Sequence, residues 1–217
     1  MIRTAFIFEI EETLFDTIEV RATALGEALM AEGVSVLRAD VVKAHRGQTA
    51  RMALAALPIT ATLDDTGADL VLKRAADIAR DGFERAAPAF DVAARDAVLA
   101  LAADFPVGVV TRGDRQQAQA WLEQASLDTC VGCVRSLGDL ALREHIQVWN
   151  DVRSRLHAAR GAMFAPAPLF AGARSGEFRD IAARGLHEDV ALSAGIALHE
   201  LDAALICSLF EMDRGAP

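Results

Sequence analysis

Three segments of the chain have polar side chains directly after a short apolar run. The first is Glu9-Ile-Glu-Glu-Thr, which carries the carboxylates of Glu9, Glu11 and Glu12. The others are Thr111-Arg-Gly-Asp and Gly172-Ala-Arg-Ser-Gly. Converging carboxylates are what a magnesium site requires, and a hydroxyl followed by backbone amides at a helix N-terminus can receive a phosphate. These segments are therefore the candidate functional residues, provided that the fold brings them together.

The apolar pattern predicts a fold that does so. Residues 5–8 are typical of a buried parallel strand, and only helices are expected between residues 17 and 86. These helices are expected at 17–33, 38–45, 48–57 and 64–86. After Pro88 strands are expected at 106–110, 130–134, 167–170, 190–192 and 205–209, and helices at 91–103, 115–125, 140–159, 177–184 and 199–204. This alternation indicates an α/β protein with a parallel sheet between two helical layers, and ligands bind outside the carboxyl ends of such strands.

The first segment resembles the opening motif of the haloacid dehalogenase-like phosphohydrolases, which is Asp-x-Asp-Gly-Thr-Leu after a strand. Thr13-Leu and Asp16-Thr fit that motif. Val107-Gly-Val-Val-Thr-Arg-Gly-Asp resembles the strand of this family that ends in Thr or Ser, and the stretch from His199 resembles its closing helix and strand. The resemblance covers essentially the whole chain and is closest to the phosphoglycolate phosphatase and β-phosphoglucomutase branch.

This resemblance implies a doubly wound parallel sheet, a Rossmann-like core, with an inserted helical cap. The core would comprise residues 1–16 and 88–217, and the cap residues 17–87. Arg46 and Gln48 lie where cap residues of the family face the substrate, although a helix cap followed by a loop explains them equally well. They are therefore candidates for contact between the cap and a ligand.

The first motif departs from the family at three positions. In the family the first carboxylate attacks phosphorus and coordinates magnesium, and the second is an acid and base. Glu9 and Glu11 replace these aspartates. The longer arm of Glu11 is easier to tolerate, because proton transfer can work through a water, but the extra methylene of Glu9 moves its oxygens by about 1.5 Å. A misplacement of about 1 Å costs roughly a hundredfold in rate. Glu12 replaces a glycine, so the tight turn at that position must be changed or strained.

Two further motifs also depart from the family. The third requires a lysine, but the only lysines are Lys43 and Lys73, which leaves Arg143 as the nearest cationic substitute. The fourth should end a strand with acids, and Ala173 and Arg174 take those positions. An arginine there would repel a magnesium ion rather than hold it. The sequence therefore predicts no metal site and no cofactor, magnesium being required only if the chain is an active phosphatase.

Three acidic side chains so close in sequence also need a counter-charge. Without one, repulsion between Glu9, Glu11 and Glu12 would raise at least one carboxyl pKa. We therefore expect at least one arginine within salt-bridge reach of Glu9 or Glu11. The candidates are Arg112, Arg143 and Arg174.

Three functions from different classes follow. The leading hypothesis is a pseudoenzyme that binds a partner protein or a phosphorylated ligand, with Thr111, Arg112, Gly113 and Arg143 as the ligand-binding residues. The alternative is a magnesium-dependent phosphatase or phosphomutase that acts on a small phosphorylated metabolite, with Glu9 in the nucleophile position. The third is a structural subunit with a vestigial cleft. Magnesium-dependent turnover separates the second hypothesis from the others.

Composition limits the partners and the compartment. The net charge is −9 and no basic cluster occurs, so neither nucleic acid nor an anionic membrane surface is expected as a partner. The opening apolar run is too short for a signal peptide, and no run of about 18 uncharged apolar residues occurs. We therefore predict a cytoplasmic protein. The odd number of cysteines argues against a disulfide framework, and Cys130 and Cys133 are interpreted as structural.

Overall fold

The computed structural model of the chain describes residues 4–58, 63–138, 142–165, 178–184 and 196–197. The strands within these residues are β1 (Thr4–Glu9), β2 (Val107–Thr111), β3 (Val131–Ser136), β4 (Arg160–Ala165), β5 (Phe178–Arg184) and β6 (Ile196–Ala197). The helices are α1 (Ile18–Ala31), α2 (Arg38–His45), α3 (Ala50–Ala56), α4 (Asp65–Arg85), α5 (Val92–Asp104), α6 (Arg115–Gln124) and α7 (Leu142–Arg155).

The strands form one sheet in the order β3-β2-β1-β4-β5-β6. All neighbouring strands run parallel. Strands β2 and β3 lie on one side of β1, and β4, β5 and β6 lie on the other. The order of the strands therefore reverses direction between β1 and β4. The predicted doubly wound parallel sheet is therefore confirmed. Ligands in such sheets bind outside the carboxyl ends of the strands at this switch point, which is where β1 ends.

The alternation of side chains along β1 builds a core on each face of the sheet. Phe6 and Phe8 belong to one cluster, and Ala5 and Ile7 to the other. The first cluster is completed by α5 and α6 through Val98, Leu101, Trp121 and Leu122. The second is completed by α7 through Trp149 and Val152. Because all of these side chains are buried, β1 is held rigidly, and so is the residue that ends it.

Helices α1–α4 have an apolar core of their own. Its buried members include Leu25, Leu29, Val41, Leu54 and Val71. Between residues 18 and 85, the described residues contain no strand, as the sequence predicts. Phe83 of α4 meets Trp121 of α6 edge-on, with ring centroids 4.9 Å apart, so the helical segment contacts the sheet layer. The division into a core (1–16 and 88–217) and a cap (17–87) stays a prediction.

The last third of the described chain differs from the sequence prediction. Residues 177–184 were expected to be helical, but Phe178–Arg184 form β5 beside β4. Alanine and arginine favour a helix locally, and pairing with a neighbouring strand overrides that weak preference. Helix α7 ends before residue 159, because His157 has a φ of 52°, and β4 starts at Arg160. The predicted elements at 167–170, 190–192, 199–204 and 205–209 lie outside the described residues.

Two smaller expectations concern the membrane and the cysteines. Among the described residues, no helix is both long enough and apolar enough to cross a membrane. The predicted cytoplasmic location stays a prediction. Cys130 and Cys133 are free thiols, and burial raises the pKa of both. Cys130 precedes β3 and donates a hydrogen bond to the carbonyl of Leu127, which agrees with a structural role.

Candidate functional site

The first two candidate segments meet at one edge of the sheet. Glu9 is the last residue of β1 and Thr111 is the last residue of β2. These strands are parallel neighbours, and the amide of Ile10 continues the pairing with a 2.9 Å hydrogen bond to the carbonyl of Val110. The third segment, which begins at Gly172, lies outside the described residues.

The chain after β1 folds into a tight turn that buries its three acids. The amides of Leu14 and Phe15 both donate to the carbonyl oxygen of Ile10, which closes the turn. Within it Glu12 has a φ of 61°, a left-handed conformation that costs a non-glycine residue roughly 1–2 kcal/mol. The expected strain at this former glycine position is therefore present.

The strain at Glu12 can be measured with a matched pair of variants. Glu12→Ala and Glu12→Gly both remove the carboxylate, but only alanine keeps a Cβ at a φ of 61°. We expect the glycine variant to be more stable than the alanine variant by about 1 kcal/mol. Urea denaturation followed by circular dichroism measures this difference. Equal stabilities of the two variants would contradict a strained turn.

The carboxylate of Glu11 lies in a cradle of hydrogen-bond donors. Its Oε1 accepts hydrogen bonds from the Thr111 hydroxyl at 2.6 Å, from the Gly113 amide at 3.2 Å and from Nη2 of Arg21 at 2.8 Å. Its Oε2 accepts from the Arg112 amide at 2.9 Å. These include the hydroxyl and backbone amides that the sequence predicts for a phosphate. The cradle is therefore filled by a carboxylate of the chain itself.

The charge of Glu11 is strongly stabilised there. Burial raises its pKa, but Arg21, Arg112 and the hydrogen bond from Thr111 together lower the pKa below its usual value. The cradle also stands just before α6, whose N-cap Asp114 accepts from the amides of Gln116 and Gln117. Glu11 is consequently a fixed anion of the chain itself, and it lies where the sequence predicts a bound phosphate.

Arg112 is the cation at the centre of the site. Its Nε forms an ion pair with Glu9, and its Nη2 lies 3.2 Å from Oε1 of Glu12. The guanidinium also donates to the backbone carbonyls of Glu11 at 3.1 Å and Gln48 at 3.0 Å. Burial lowers its pKa, but Glu12, Glu9 and Glu11 outweigh burial and raise the pKa above its normal value. The side chain is only 1% exposed, so this charge is permanent and buried.

Glu9 is the least satisfied of the three acids. Both of its carboxylate oxygens are buried, and neither accepts a well-directed hydrogen bond from the described residues, although Arg112 is in ion-pair contact. Burial raises the pKa of Glu9 to about 7, against the opposing influence of Arg112. The cluster holds three carboxylates and two guanidiniums, since Arg21 pairs with Glu11. A proton on Glu9 would make the cluster electrically neutral.

The structure brings together Glu9, Glu11, Thr111, Arg112 and Gly113. Arg143 lies in α7, and its side chain is outside the described residues, as is Arg174. Gln48 reaches the site only through its backbone carbonyl, and Arg46, half-buried at the end of α2, makes no described contact with the cluster. The predicted salt bridge is confirmed for Arg112 with Glu9.

The sequence prediction missed two residues at the site. Arg21 belongs to the same stripe of α1 as the buried Ile18 and Ala22, and a charge in a buried stripe must be paired. This requirement could have identified Arg21 as a site residue from the sequence. His45 is buried, and neither ring nitrogen has a hydrogen-bond partner within the described part of the chain. Burial, with the nearby charges of Arg21 and Arg112, lowers the pKa of His45 to about 3, so the imidazole is neutral.

A cavity of about 1060 Å³ opens beside the cluster, between helices α3 and α4 on one side and α6 on the other. Phe83 and Trp121 form part of its apolar wall, and His45 lines it. Its cationic lining residues are Arg21, Arg51, Lys73, Arg80 and Arg112, and its acidic ones are Asp69, Glu84 and Asp114. None of Glu9, Glu11 and Glu12 lines this cavity. The cluster therefore faces the cavity through Arg21 and Arg112.

The residues present do not fit a magnesium ion. Magnesium needs several carboxylate and carbonyl oxygens in a nearly octahedral arrangement, but the oxygens of Glu9 and Glu12 already face the guanidinium of Arg112. Within the described residues, no group of three His, Cys, Asp or Glu could hold a metal. The sequence after β4 has its first acid at Glu177. The expectation of no bound metal itself stays a prediction.

Comparisons with known proteins identify the fold. No protein-family model and no curated protein sequence matches this chain. A solved β-phosphoglucomutase from Clostridium difficile superposes with a TM-score of 0.73 at 10% identity, over 100% of both chains. A haloacid dehalogenase-like hydrolase from Bacteroides fragilis gives 0.64 at 14% identity, over 77% of this chain and 80% of that one.

A third structure, assigned as a phosphoglycolate phosphatase from Lactobacillus plantarum, gives a TM-score of 0.60 at 15% identity. The aligned region covers 76% of this chain and 77% of that chain. At such low identities the similarity establishes architecture and nothing finer. The chain has the haloacid dehalogenase-like fold.

Proposed function

We propose that this protein, with the fold of haloacid dehalogenase-like hydrolases, binds a small acidic ligand such as a phosphorylated metabolite and does not transfer a phosphoryl group. The observation that carries the proposal is the position of Arg112. Its guanidinium is buried against Glu9 and Glu12, which are the nucleophile and turn positions of the first motif. A permanent cation at this point neutralises the carboxylates that a magnesium ion would need as ligands.

The nucleophile position itself argues in the same direction. A carboxylate nucleophile must be ionised and free to approach phosphorus. Glu9 is completely buried, is in contact with Arg112, and has a pKa raised to about 7 by burial. The second acid position, Glu11, is held by four donors and cannot serve as an acid or base without leaving them.

The cavity supports a small acidic ligand. Arg21 and Arg112 face it from the cluster, and Lys73 lines it from α4. Both nitrogens of His45 are buried without described partners, so a ligand with hydrogen-bonding groups would satisfy them. The volume of about 1060 Å³ suits a metabolite. For this reason we favour a small ligand over a partner protein, which is the other form of the binding hypothesis.

The second candidate is a magnesium-dependent phosphatase or phosphomutase with Glu9 as the nucleophile. The comparisons favour it over a pseudoenzyme, because the solved structures with this fold bear the names β-phosphoglucomutase and phosphoglycolate phosphatase. It requires Arg112 to withdraw from Glu9, and Glu11 to leave the cradle.

An activity assay separates the two candidates. We expect wild-type protein with magnesium to hydrolyse p-nitrophenyl phosphate and a panel of sugar phosphates no faster than Glu9→Gln. The reason is that neither acid of the first motif is available for chemistry. Magnesium-dependent turnover that disappears in Glu9→Gln would establish the phosphatase instead.

Ligand binding is tested with the two lysines of the chain as a matched pair. Both lysines are exposed, but only Lys73 lines the cavity. Calorimetry with the sugar phosphate that most raises the melting temperature should show a two- to fivefold loss of affinity in Lys73→Ala, as one partly exposed charge contributes about 0.3–1 kcal/mol. Lys43→Ala should bind as wild type does. Equal losses in both variants would place the ligand elsewhere.

A further inference from the structure

We infer that the outer edge of β3, the side that faces away from β2, is a surface for pairing with a second copy of this chain, and that Arg135 keeps this surface closed. Within the described residues, β3 is the last strand of the sheet and has a neighbour on one side only. The guanidinium of Arg135 lies on the other side, where its Nη1 donates to the carbonyl of Val134 at 3.0 Å. Removing this side chain should therefore promote dimers that are joined through β3.

The hydrogen bonds of β3 show which of its backbone groups face outwards. The amide of Leu137, directly after the strand, donates to the carbonyl of Thr111 in β2 at 2.7 Å. Successive residues of a strand direct their backbone groups to opposite sides. Ser136 and Val134 therefore direct their amides and carbonyls away from β2. An outward row of such groups is a template on which another strand can pair.

Two features of β3 oppose that pairing. The register with β2 shifts after Val107, which leaves Gly132 as an extra residue between Val131 and Cys133. A bulge of this kind turns an edge away from an incoming strand. Nearer the other end of β3, the guanidinium of Arg135 occupies the carbonyl of its neighbour. An incoming strand must displace this guanidinium before it can bond to that carbonyl.

Asp151 of α7 holds the guanidinium in this position. Its Oδ2 accepts from Nε of Arg135 at 2.7 Å and from Nε of Arg155 at 2.8 Å. The side chain of Arg135 is only 22% exposed, whereas that of Arg155 is 54% exposed. Arg155 donates no described hydrogen bond to β3. Asp151 therefore fixes one arginine over the strand edge and pairs with a second arginine that leaves the edge uncovered.

A second copy fits this edge because the edge is complementary to itself. Each outward residue offers one donor and one acceptor, so two identical edges satisfy each other when they pair antiparallel about a twofold axis. This pairing also lays the start of β3 in one copy against its end in the other. Asp128 precedes the strand and Arg135 lies near its end, so an acid of each copy is brought towards a cation of the other. Such a pair is closed and does not continue into a polymer.

The edge of β3 is separate from the cavity of the proposed function. None of Val134, Arg135, Asp151 and Arg155 lines that cavity. Failure of a ligand to bind the cavity therefore leaves the edge unchanged. A chain that does not pair through β3 still has the cavity available for a ligand.

The test is sedimentation velocity of the full chain over a series of concentrations, together with hydrogen exchange. Arg135→Thr uncovers the carbonyl of Val134 and places a β-branched residue, which favours strands, at the edge. We expect its dimerisation constant to be at least about tenfold above that of the wild type, because the twofold arrangement gains one backbone hydrogen bond in each copy. The amide of Val134 should become protected from exchange as the concentration rises.

The matched control is Arg155→Ala, which removes the other arginine of Asp151 but leaves the carbonyl of Val134 covered. It should dimerise no more strongly than the wild type. Asp151→Asn is the second variant, because it keeps the sequence of β3 and only weakens the anchor of Arg135. It should give a smaller gain in the same direction.

Three results would overturn the inference. The first is a dimerisation constant that rises in neither Arg135→Thr nor Asp151→Asn, and the second is an equal rise in Arg155→Ala. The third is a rise that leaves the exchange of the Val134 amide unchanged, since the copies would then associate through another surface. Wild-type protein in which concentration already protects this amide would show that Arg135 does not close the edge.

Discussion

Arg112→Ala is expected to lower the free energy of unfolding by about 3–5 kcal/mol at neutral pH, which is the usual cost of breaking a buried ion pair from one side. The variant leaves Glu9 and Glu12 buried without their cation, and the carbonyls of Glu11 and Gln48 without a donor. In the wild-type fold Glu9 and Glu11 are 0% exposed, so solvent screens their charges little. Urea denaturation at pH 7.5 measures the loss. A precision of roughly 1 kcal/mol in the free energy of unfolding is sufficient.

Arg80→Ala is the matched control. Arg80 also pairs with a carboxylate, Asp77, but both side chains are more than half exposed, so the change should be below about 1 kcal/mol. The deficit of Arg112→Ala should also shrink on acidification, because a protonated Glu9 no longer needs a counter-charge. A loss in Arg112→Ala as small as in Arg80→Ala would show that the buried network is not formed in solution.

The second large effect is expected in the pH dependence of stability. Burial raises the pKa of Glu9 from its ordinary 4.5 to about 7. Between these values the folded state binds a proton that the unfolded state has released, so stability should fall as the pH rises. The contribution is full below pH 4.5 and is lost once the pH passes about 7. At about 1.4 kcal/mol per pKa unit, the loss amounts to about 3 kcal/mol.

Glu9→Gln should remove most of this loss, since an amide resembles the protonated carboxyl and does not titrate. We expect the variant to be more stable than wild type at pH 8 and to show a flatter profile between about pH 5 and pH 8. Chemical denaturation at several pH values provides the comparison. Wild-type stability that rises through this interval, or a Glu9→Gln variant less stable than wild type at pH 8, would show that Glu9 is ionised and satisfied in the fold.

The residues that follow strand ends in the site could be predicted from the sequence. Glu9 and Thr111 each follow an apolar run, and parallel strands place their carboxyl ends at one edge of the sheet. The need for a cation near three acids also follows from charge alone, and Arg112 was among the candidates. These conclusions depend on local sequence and on one topological rule.

The contacts of Glu11 were not predictable in the same way. Its cradle joins residues that are 100 to 102 positions apart, together with Arg21 from α1, and the choice of partner depends on the turn at Glu12. Whether a carboxylate of that turn points to a ligand or fills the ligand's place is decided by a few ångströms of backbone. Spacing in a sequence does not record distances of that size.

The error in β5 has a different physical origin. Residues 178–184 combine alanine and arginine with single apolar residues, and neither a strand nor a helix pattern is strong. Pairing with β4, from Gly161 opposite Phe178 to Ala165 opposite Ala182, satisfies the backbone along one side. Such pairing belongs to the assembled sheet, so a local reading of residue types favours the helix.

The loop after α2 is joined to the site by two hydrogen bonds. The Gly47 amide donates to Oε2 of Glu12 at 3.1 Å, and Arg112 donates to the carbonyl of Gln48 at 3.0 Å. One wall of the cavity, which includes the neighbouring Thr49, is thereby fastened to the end of β1 through charged groups. Separating that wall from the sheet would leave a buried guanidinium and a buried carboxylate each short of a partner. The distance between this wall of the cavity and the sheet is therefore fixed by the charges of the site, and a variant that removes either bond should change the width of the cavity.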